Sequence, residues 1–381
     1  MKLLTVLLLI LFSTMTFGAT KKVHIGLASN FSELSTVSFN PYGGYFRNGV
    51  KLALEHNSKR LADKQIEIVL KEFDYGADDL NVLKNVKEAD RSGVSAVIGY
   101  NYSSNALMAA PLHAKLKLPM LSPSASANRL SSFGRYIHLG SFSNQYMAQV
   151  LAKFTVEGLK SKKIVVIPAG NCAYCTDLAD TFEKELSRFG GTVVKRVLVI
   201  QEDKNFELAA QSLKGLDFDA VFIPNQELTA ARIILSLLEA GIKKPFLGAD
   251  GWGNEGSEFF NVLKGRKFDG YSVTHWHPGL KTKSSIDFVS SYKGSFKNLP
   301  NDSSVLAYDF MNFLIEAILS TKTHDRESVE EALRKIKVFT GVTGKYLMSP
   351  NKAPQKDILI LKTTEAGFAV DQSVSLHRGQ R

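Results

Sequence analysis

The residue types best suited to holding a small charged ligand stand together in the first third of the chain. Residues 122–127 read SPSASA and follow the apolar segment LKLPML. Proline and small hydroxyl residues are common where a strand runs into a loop. Hydroxyls and loop N–H groups can also bind a carboxylate, which the positive N-terminal end of a following helix favours. The stretch alone leaves both interpretations open.

The chain's two cysteines, Cys172 and Cys175, stand in the sequence CAYC. This motif follows an apolar segment typical of a strand and opens a predicted helix, as a thioredoxin-like redox motif does. A structural disulfide is the alternative, because the cysteines of an exported protein meet an oxidising compartment. The spacing is compatible with both a redox enzyme and a disulfide that only braces the fold.

Three further patterns give no support for catalysis or a cofactor. GWGNEG at 251–256 matches the glycine pattern of dinucleotide sites, but the next predicted strand, GYSVTHW, ends without the required acidic residue. His275 and His277 lie on one face of that strand, and two ligands do not make a zinc site. The sequence has neither a G-x-S-x-G elbow nor a phosphate-binding loop. We therefore expect no metal, no cofactor and no enzyme activity.

The N-terminal residues have the pattern of a secretory signal peptide. Lys2 supplies the positive charge, Leu3 to Phe12 form the apolar region, and cleavage is expected after Gly18 or Ala19. The apolar run of about ten residues is shorter than the ~20 residues that span a bilayer. We therefore expect residues 1–18 to be removed. No later segment is long and apolar enough to cross a membrane, so we expect the rest of the chain to be exported.

Composition favours a soluble, two-domain protein. The remaining chain of about 360 residues is long enough for two cores, and 44% hydrophobic with 22% charged residues is ordinary for a globular chain. The formal net charge is +10, yet the densest basic stretch is only KSKK at 160–163, without interleaved aromatic residues. This charge pattern does not predict a nucleic-acid partner.

Strands and helices alternate along most of the chain. Apolar segments such as VSAVIG are typical of strands buried on both faces of a parallel sheet. The alternation starts again near residue 163, which predicts a second sheet of the same kind. Ser328 and Glu331 have the spacing of a capping box at the start of a late helix. Loops at the carboxyl ends of parallel strands meet at one edge, where ligands bind.

Five segments in order resemble the periplasmic leucine/isoleucine/valine-binding proteins of ABC transporters. They are VIGYNYSSNALMAAPLHAKLKLPMLSPSASANRL, AYCTDLADTFEKEL, LLEAGIKKPFLGADGWGN, AYDFMNFLIEAI and FTGVTGKYLMSPN. The resemblance runs over residues 22–363, nearly all of the exported chain. It implies a type I periplasmic binding protein: an α/β fold of two Rossmann-like, doubly wound lobes joined by three crossover strands, with the ligand cleft between them.

The resemblance also places the lobe boundaries. The chain would cross between lobes near residues 141, 275 and 339. The first lobe would comprise residues 19–141 plus 276–338, and the second lobe residues 142–275 plus 339–381.

The resemblance implies a set of ligand-binding residues. In the family a serine after VIG and a hydroxyl residue after SPxA hold the backbone end of an amino acid, and here these positions are Ser103, Ala125 and Ser126. The second lobe supplies a tyrosine, here Tyr174, and an acidic residue after LG, here Asp250. A carboxylate at 250 suits an ammonium group, from which it accepts charge-assisted hydrogen bonds. Ser103 and Asp250 also stand where residues commonly cap helices.

Two positions depart from the family pattern. Asn225 and Gln226 stand where the family often has an aromatic residue, and Cys175 replaces a turn glycine. A glutamine in the pocket favours a polar or larger amino acid, or an amide, over a branched aliphatic one. Aromatic residues that are candidates for the pocket walls are Tyr42, Tyr100, Tyr102, Trp252 and Trp276.

The implied function is a periplasmic solute-binding protein that captures a small amino-acid-like ligand for the permease of an ABC importer. The expected protein is a monomer that carries out no covalent chemistry. In this interpretation Cys172 and Cys175 form a structural disulfide that braces Tyr174. The alternatives are a sensory module that presents its ligand to a membrane receptor and a redox protein that uses the CAYC motif.

Overall fold

A computed structural model of the protein describes residues 20–32, 42–76, 79–253, 258–365 and 367–374. The predicted signal peptide and its cleavage site lie outside these residues, as does the side chain of Tyr42. Within the described residues, no helix combines the length and the apolar character needed to cross a bilayer.

The first part of the chain alternates strands and helices, as predicted. Ala96–Gly99 is buried at every position, as expected for a strand with helices on both faces of its sheet. The elements of this part are β1 (Lys21–Ser29), α1 (Tyr42–Asp63), β2 (Ile66–Asp74), α2 (Asp79–Arg91), β3 (Ala96–Gly99), α3 (Ser103–Lys115), β4 (Met120–Ser122) and β5 (Ile137–Leu139).

The alternation continues with a second set of elements. These are α4 (Asn144–Lys153), β6 (Lys163–Val166), α5 (Ala173–Arg188), β7 (Thr192–Arg196), α6 (Glu207–Gln211), β8 (Ala220–Phe222), α7 (Glu227–Glu239), β9 (Phe246–Gly248), α8 (Phe259–Leu263) and β10 (Gly270–Thr274). The chain then forms α9 (Lys283–Phe296), α10 (Asp302–Ser320), α11 (Arg326–Lys335), β11 (Val338–Gly341), β12 (Gly344–Leu347), β13 (Ile358–Thr364) and β14 (Gly367–Val374).

The strands build two large sheets, one in each lobe. The first sheet is parallel, with the order β2-β1-β3-β4-β5. The second has the order β14-β13-β10-β9-β8-β6-β7, in which β13 and β14 run antiparallel to their neighbours. Helix α10 packs against α1, so the late helices complete the first lobe. The predicted two-lobed α/β fold is confirmed, while the boundaries near residues 141, 275 and 339 stay predictions.

A small hairpin of β11 and β12 lies between the last helix and the final strands. Its Phe339 and Tyr346 pack into the same core as α10. The buried carboxylate of Asp309 in α10 accepts hydrogen bonds from the N–H groups of Val342 and Thr343, at 2.7 and 2.9 Å. The hairpin can pack this closely against α10 because residue 341 is glycine. A Cβ atom at this position would lie 2.3 Å from Cγ of Asp309.

Helix α11 begins three residues earlier than the predicted capping box. Its N-cap is Asp325, whose side chain accepts a hydrogen bond from the N–H of Ser328 at 3.0 Å. A carboxylate at the N-cap also interacts favourably with the helix dipole. The prediction that Ser328 caps this helix with Glu331 is therefore wrong, because the aspartate upstream takes that role.

Candidate ligand-binding site

The hydroxyl-rich stretch and the start of α3 meet at the carboxyl edge of the first sheet. Strands β3 and β4 are neighbours, so the residues that follow them lie close together. Oγ of Ser103 accepts hydrogen bonds from the N–H groups of Ser126 and Ala127, at 3.3 and 3.2 Å. A serine hydroxyl that accepts in this way still has its own proton to donate. The structure thus brings together two of the predicted first-lobe residues.

Ser103 does not cap α3, because the N-cap position is Tyr102 and the cap has no side-chain hydrogen bond. Tyr102 is half-buried. The side chain of Ala125 is 1% exposed and packs into a core cluster of the first lobe, so only its backbone remains for contact with a ligand.

In the second lobe, Tyr174 and Asp250 are hydrogen-bonded to each other. The phenol of Tyr174, at the start of α5, donates to Oδ1 of Asp250 at 2.6 Å. Asp250 follows β9, and the N–H of Gly251 donates to the Tyr174 hydroxyl at 3.3 Å. The side chain of Asp250 is 14% exposed. The two second-lobe residues predicted from the resemblance therefore form one polar unit at the carboxyl edge of the sheet.

His275 is a third member of this unit. Its Nε2 lies 3.3 Å from Oδ2 of Asp250 and 3.1 Å from Oγ of Ser141. Burial lowers the pKa of His275 to about 4, although the carboxylate of Asp250 partly opposes that shift. The sequence alone suggests no role for this histidine other than that of a metal ligand. The signal for this contact is its position directly after β10, the strand next to β9, which Asp250 follows.

The loop after β8 is hydrogen-bonded to the segment that follows β6. Asn225 is buried, with its Oδ1 accepting from the N–H of Ala169 at 2.7 Å and its Nδ2 donating to the carbonyl of Ile167 at 2.6 Å. Its side chain therefore joins the ends of two strands. Gln226 is half-buried at the N-cap of α7, where its side chain makes no capping hydrogen bond.

Three of the five aromatic residues suggested as pocket walls lie inside the lobes. Trp252 is fully buried, its Nε1 donates to the carbonyl of Ile223 at 2.9 Å, and its ring packs against Phe259. Trp276 and Tyr100 are also fully buried. Fully buried rings present no surface to a cleft, so these three residues are core residues in this structure rather than walls.

Cys172 and Cys175 form the predicted disulfide, with their Cα atoms 5.2 Å apart. Cys172 is the N-cap of α5 and accepts a hydrogen bond from the N–H of Cys175. Both residues are buried. The bridge thus encloses the first turn of the helix, which carries Tyr174.

The two lobes touch beside this turn. The carboxylate of Asp177 in α5 accepts from the N–H of Asn128 at 3.0 Å and from Nδ2 of Asn144 at 2.7 Å. Asn128 directly follows the hydroxyl-rich stretch of the first lobe, and α3 also lies against α5. These contacts hold the Ser103 region next to the helix that carries Tyr174.

Among the described residues, no group of three or more histidine, cysteine or acidic side chains could hold a metal ion. Nδ1 of His277 accepts a hydrogen bond from the N–H of Gly279 at 3.0 Å. The HWH motif therefore contributes hydrogen bonds to the fold.

Curated amino-acid-binding proteins are similar in sequence to this chain. The leucine-, isoleucine-, valine-, threonine- and alanine-binding protein of Pseudomonas aeruginosa is 25% identical over 300 residues, which cover 77% of this chain and 78% of that protein. The Leu/Ile/Val-binding protein of Citrobacter freundii is 24% identical over 239 residues, which cover 60% of this chain and 64% of that protein. The second alignment thus spans less than two thirds of its relative.

Solved structures share the fold. The leucine-binding protein LivK of Thermotoga maritima superimposes with a TM-score of 0.84 at 22% identity, covering 93% of this chain and 99% of that one. The substrate-binding protein LivJ of Streptococcus pneumoniae, in complex with isoleucine, gives 0.81 at 24% identity, with coverages of 93% and 99%. The sequence profile of the periplasmic binding protein family matches residues 22–367. The chain belongs to the periplasmic binding protein family.

Proposed function

We propose that the protein is a periplasmic solute-binding protein that captures a small amino-acid-like molecule and delivers it to the permease of an ABC importer. Family membership supports solute binding, and both curated relatives described above are named for binding amino acids. The predicted signal peptide supports export of the mature chain to the periplasm, where we propose that it acts as a monomer.

The proposed ligand orientation follows from the chemistry of the two lobes. Ser103 offers a hydroxyl proton beside the hydroxyl-rich loop that contains Ser126, and such donors suit a carboxylate. Asp250 offers a negative charge, which suits an ammonium group. A zwitterion would lie between these groups, and each lobe would hold one end of it. Such a ligand stabilises the conformation in which both lobes contact it.

The observation that carries this proposal is the setting of Asp250. Tyr174 donates to one of its oxygens and His275 approaches the other. Since a phenol and a neutral imidazole carry no charge, neither of these two neighbours cancels the negative charge that would attract an ammonium group. Gln226 at the N-terminal end of α7 extends the polar surface of the lobe. We infer that the preferred ligand has a polar or larger side chain.

The site supports binding rather than catalysis. The CAYC motif is the remaining candidate for enzyme chemistry, but Cys175 is fully buried and Cys172 is 9% exposed. A redox pair must expose one sulfur to its substrate. A disulfide reductase assay should therefore show no turnover.

A thermal-shift screen of the twenty amino acids and their amides tests the proposed function. A ligand that binds only the folded protein raises the melting temperature by mass action, and calorimetry then gives the affinity of the best compound. Failure of the whole panel to bind would overturn the proposed ligand class. Uptake of the best ligand by cells that lack the protein separates transport from sensing, because only a transport role predicts lost uptake.

A further inference from the structure

His275 lies where three parts of the site meet. It follows β10 directly, is 2% exposed, and presents Nε2 to both Asp250 and Ser141. Asp250 belongs to the proposed ligand site. Ser141 lies in the segment that connects β5 of the first sheet to α4 of the second lobe. One imidazole ring therefore joins the acidic residue of the cleft to a connection between the lobes.

The hydrogen bonds determine which ring nitrogen carries the proton. A carboxylate such as Asp250 only accepts. The hydroxyl of Ser141 gives its own proton to the carbonyl of Phe142, at 2.8 Å, so towards His275 it also accepts. Nε2 must then be the donor. Nδ1 is buried and has no hydrogen-bond partner within the residues that the structure describes, which agrees with an unprotonated Nδ1.

Two further features determine the orientation of the His275 ring and its charge. The ring of Phe142 stacks on the imidazole, with centroids 3.7 Å apart and planes inclined by 17°. Burial lowers the pKa of His275 to about 4, so the ring is neutral near pH 7. A neutral donor orients a carboxylate without cancelling its charge, whereas a lysine or arginine in the same place would compete with the ammonium group of a ligand.

We propose that His275 is the positioning residue of the ligand site, whose Nε2–H holds the Asp250 carboxylate in the orientation that receives the ammonium group of the ligand. This role rests on the proposed function. His275 does not touch the ligand in this scheme, and it acts only through Asp250.

Variants at position 275 test the proposal. His275→Phe keeps an aromatic ring against Phe142 but lacks the donor, and His275→Gln keeps a side-chain N–H. The probes are the amino acid that gives the largest thermal shift and its analogue without the amino group. We expect His275→Phe to weaken binding of the amino acid by about five-fold and to leave the analogue unchanged. His275→Gln should restore part of the loss.

A double-mutant cycle separates positioning from a general structural effect. In an Asp250→Asn background, His275→Phe should have no further effect on affinity. Equal loss for both probes, or a loss that persists in the Asp250→Asn background, would overturn the positioning role.

A measurement without ligand keeps the test decisive if the variants fold poorly. Ring ¹⁵N NMR of the wild-type protein at pH 7 should show His275 as the Nε2–H tautomer, with an Nε2 signal that moves in Asp250→Asn. An Nδ1–H tautomer would refute the inferred geometry. If no amino acid binds the wild type, the proposed function and the ligand role of His275 both fail, while the NMR result still decides whether the histidine orients the carboxylate.

Discussion

The phenolic oxygen of Tyr174 lies 2.6 Å from Oδ1 of Asp250 and donates its proton to that carboxylate. The bond joins two elements that are 76 residues apart in the chain. Asp250 is held on its other side by His275. The carboxylate of Asp250 thus has two neutral neighbours, a phenol and an imidazole, and neither of them cancels its charge.

Asp250→Asn should weaken binding of an α-amino ligand by about ten-fold or more. An amide has nearly the same shape but lacks the charge, and a ten-fold loss corresponds to about 1.4 kcal/mol. Calorimetry on the best ligand of the screen measures the change. Asp217→Asn is a matched control, because Asp217 is an exposed acid of the same lobe that pairs with Lys163. Unchanged affinity in Asp250→Asn would refute the ammonium-binding role.

Tyr174→Phe should cause a smaller loss, of about three-fold, because it removes one neutral hydrogen bond and leaves the charge in place. Calorimetric titration with the best ligand of the screen measures this loss of affinity. Asp250 keeps its contact with His275 in this variant, so its carboxylate remains partly oriented. A loss larger than that of Asp250→Asn would show that the phenol contacts the ligand directly and does more than orient the acid.

Gly251→Ala should weaken ligand binding because residue 251 lies in a tight space. A Cβ atom at this position would be 2.8 Å from the carbonyl oxygen of Asn225 and 3.2 Å from the Tyr174 ring. The backbone must shift to make room, and the neighbouring carboxylate moves with it. We expect a several-fold loss of affinity and a lower unfolding free energy, by about 1–3 kcal/mol.

Gly294→Ala provides the control for this substitution. Gly294 lies in α9, and a Cβ atom there would have no described atom within 4 Å apart from its chain neighbours and the backbone of its own helix. Alanine is favoured over glycine inside a helix by about 1 kcal/mol, so this variant should be as stable as the wild type or more stable. Identical behaviour of the two variants in urea denaturation and calorimetry would contradict the steric argument.

Removing the Cys172–Cys175 disulfide should affect ligand binding more than stability. The bridge closes a loop with a sequence separation of three, and such a short loop contributes at most about 2 kcal/mol in the chain-entropy model. The enclosed turn carries Tyr174, whose position the bridge restricts. We expect the Cys172→Ala/Cys175→Ala variant to remain folded by circular dichroism and to bind its ligand several-fold more weakly. Wild-type affinity in this variant would show that the helix positions Tyr174 without the bridge.

Much of the fold could be predicted because buried parallel strands have a clear sequence pattern. A segment such as Ala96–Gly99 has no polar side chain, and the repeated alternation with helices indicates two sheets. Tyr174 and Asp250 could be named only through the resemblance to a known family. No local pattern indicates that residues 76 positions apart share a hydrogen bond.

Other features depend on contacts that no local pattern shows. Trp252 is a core residue because residue 248 is glycine, where a Cβ atom would lie 2.1 Å from the indole ring. From the sequence alone, an aromatic residue in a loop can be interpreted equally well as a core residue or as a pocket wall. His275 is equally hidden in the sequence, since its role depends on the stacking of Phe142 and on the position of Ser141. These contacts exist only after the lobes have folded.

The stability that His113 contributes should decrease as the pH falls. His113 in α3 is fully buried, with Nδ1 3.0 Å from the carbonyl of Leu118 and Nε2 3.3 Å from the hydroxyl of Tyr100. Burial lowers the pKa of His113 to about 4, while an unfolded histidine titrates near about 6.5. Between these values the unfolded chain binds more protons than the folded protein, so the unfolding free energy rises with pH in this range and falls on acidification.

His113→Gln isolates this contribution, because His275 and the other ionisable groups are present in both proteins. The wild type should be the more stable protein at pH 7, and its advantage should shrink between about pH 6.5 and 4, by at most about 1.4 kcal/mol per pH unit. Urea denaturation of both proteins at several pH values measures the difference. Parallel stability curves would contradict the prediction, and an NMR titration that shows His113 protonated in the folded protein at pH 6 would do so independently if the variant does not fold.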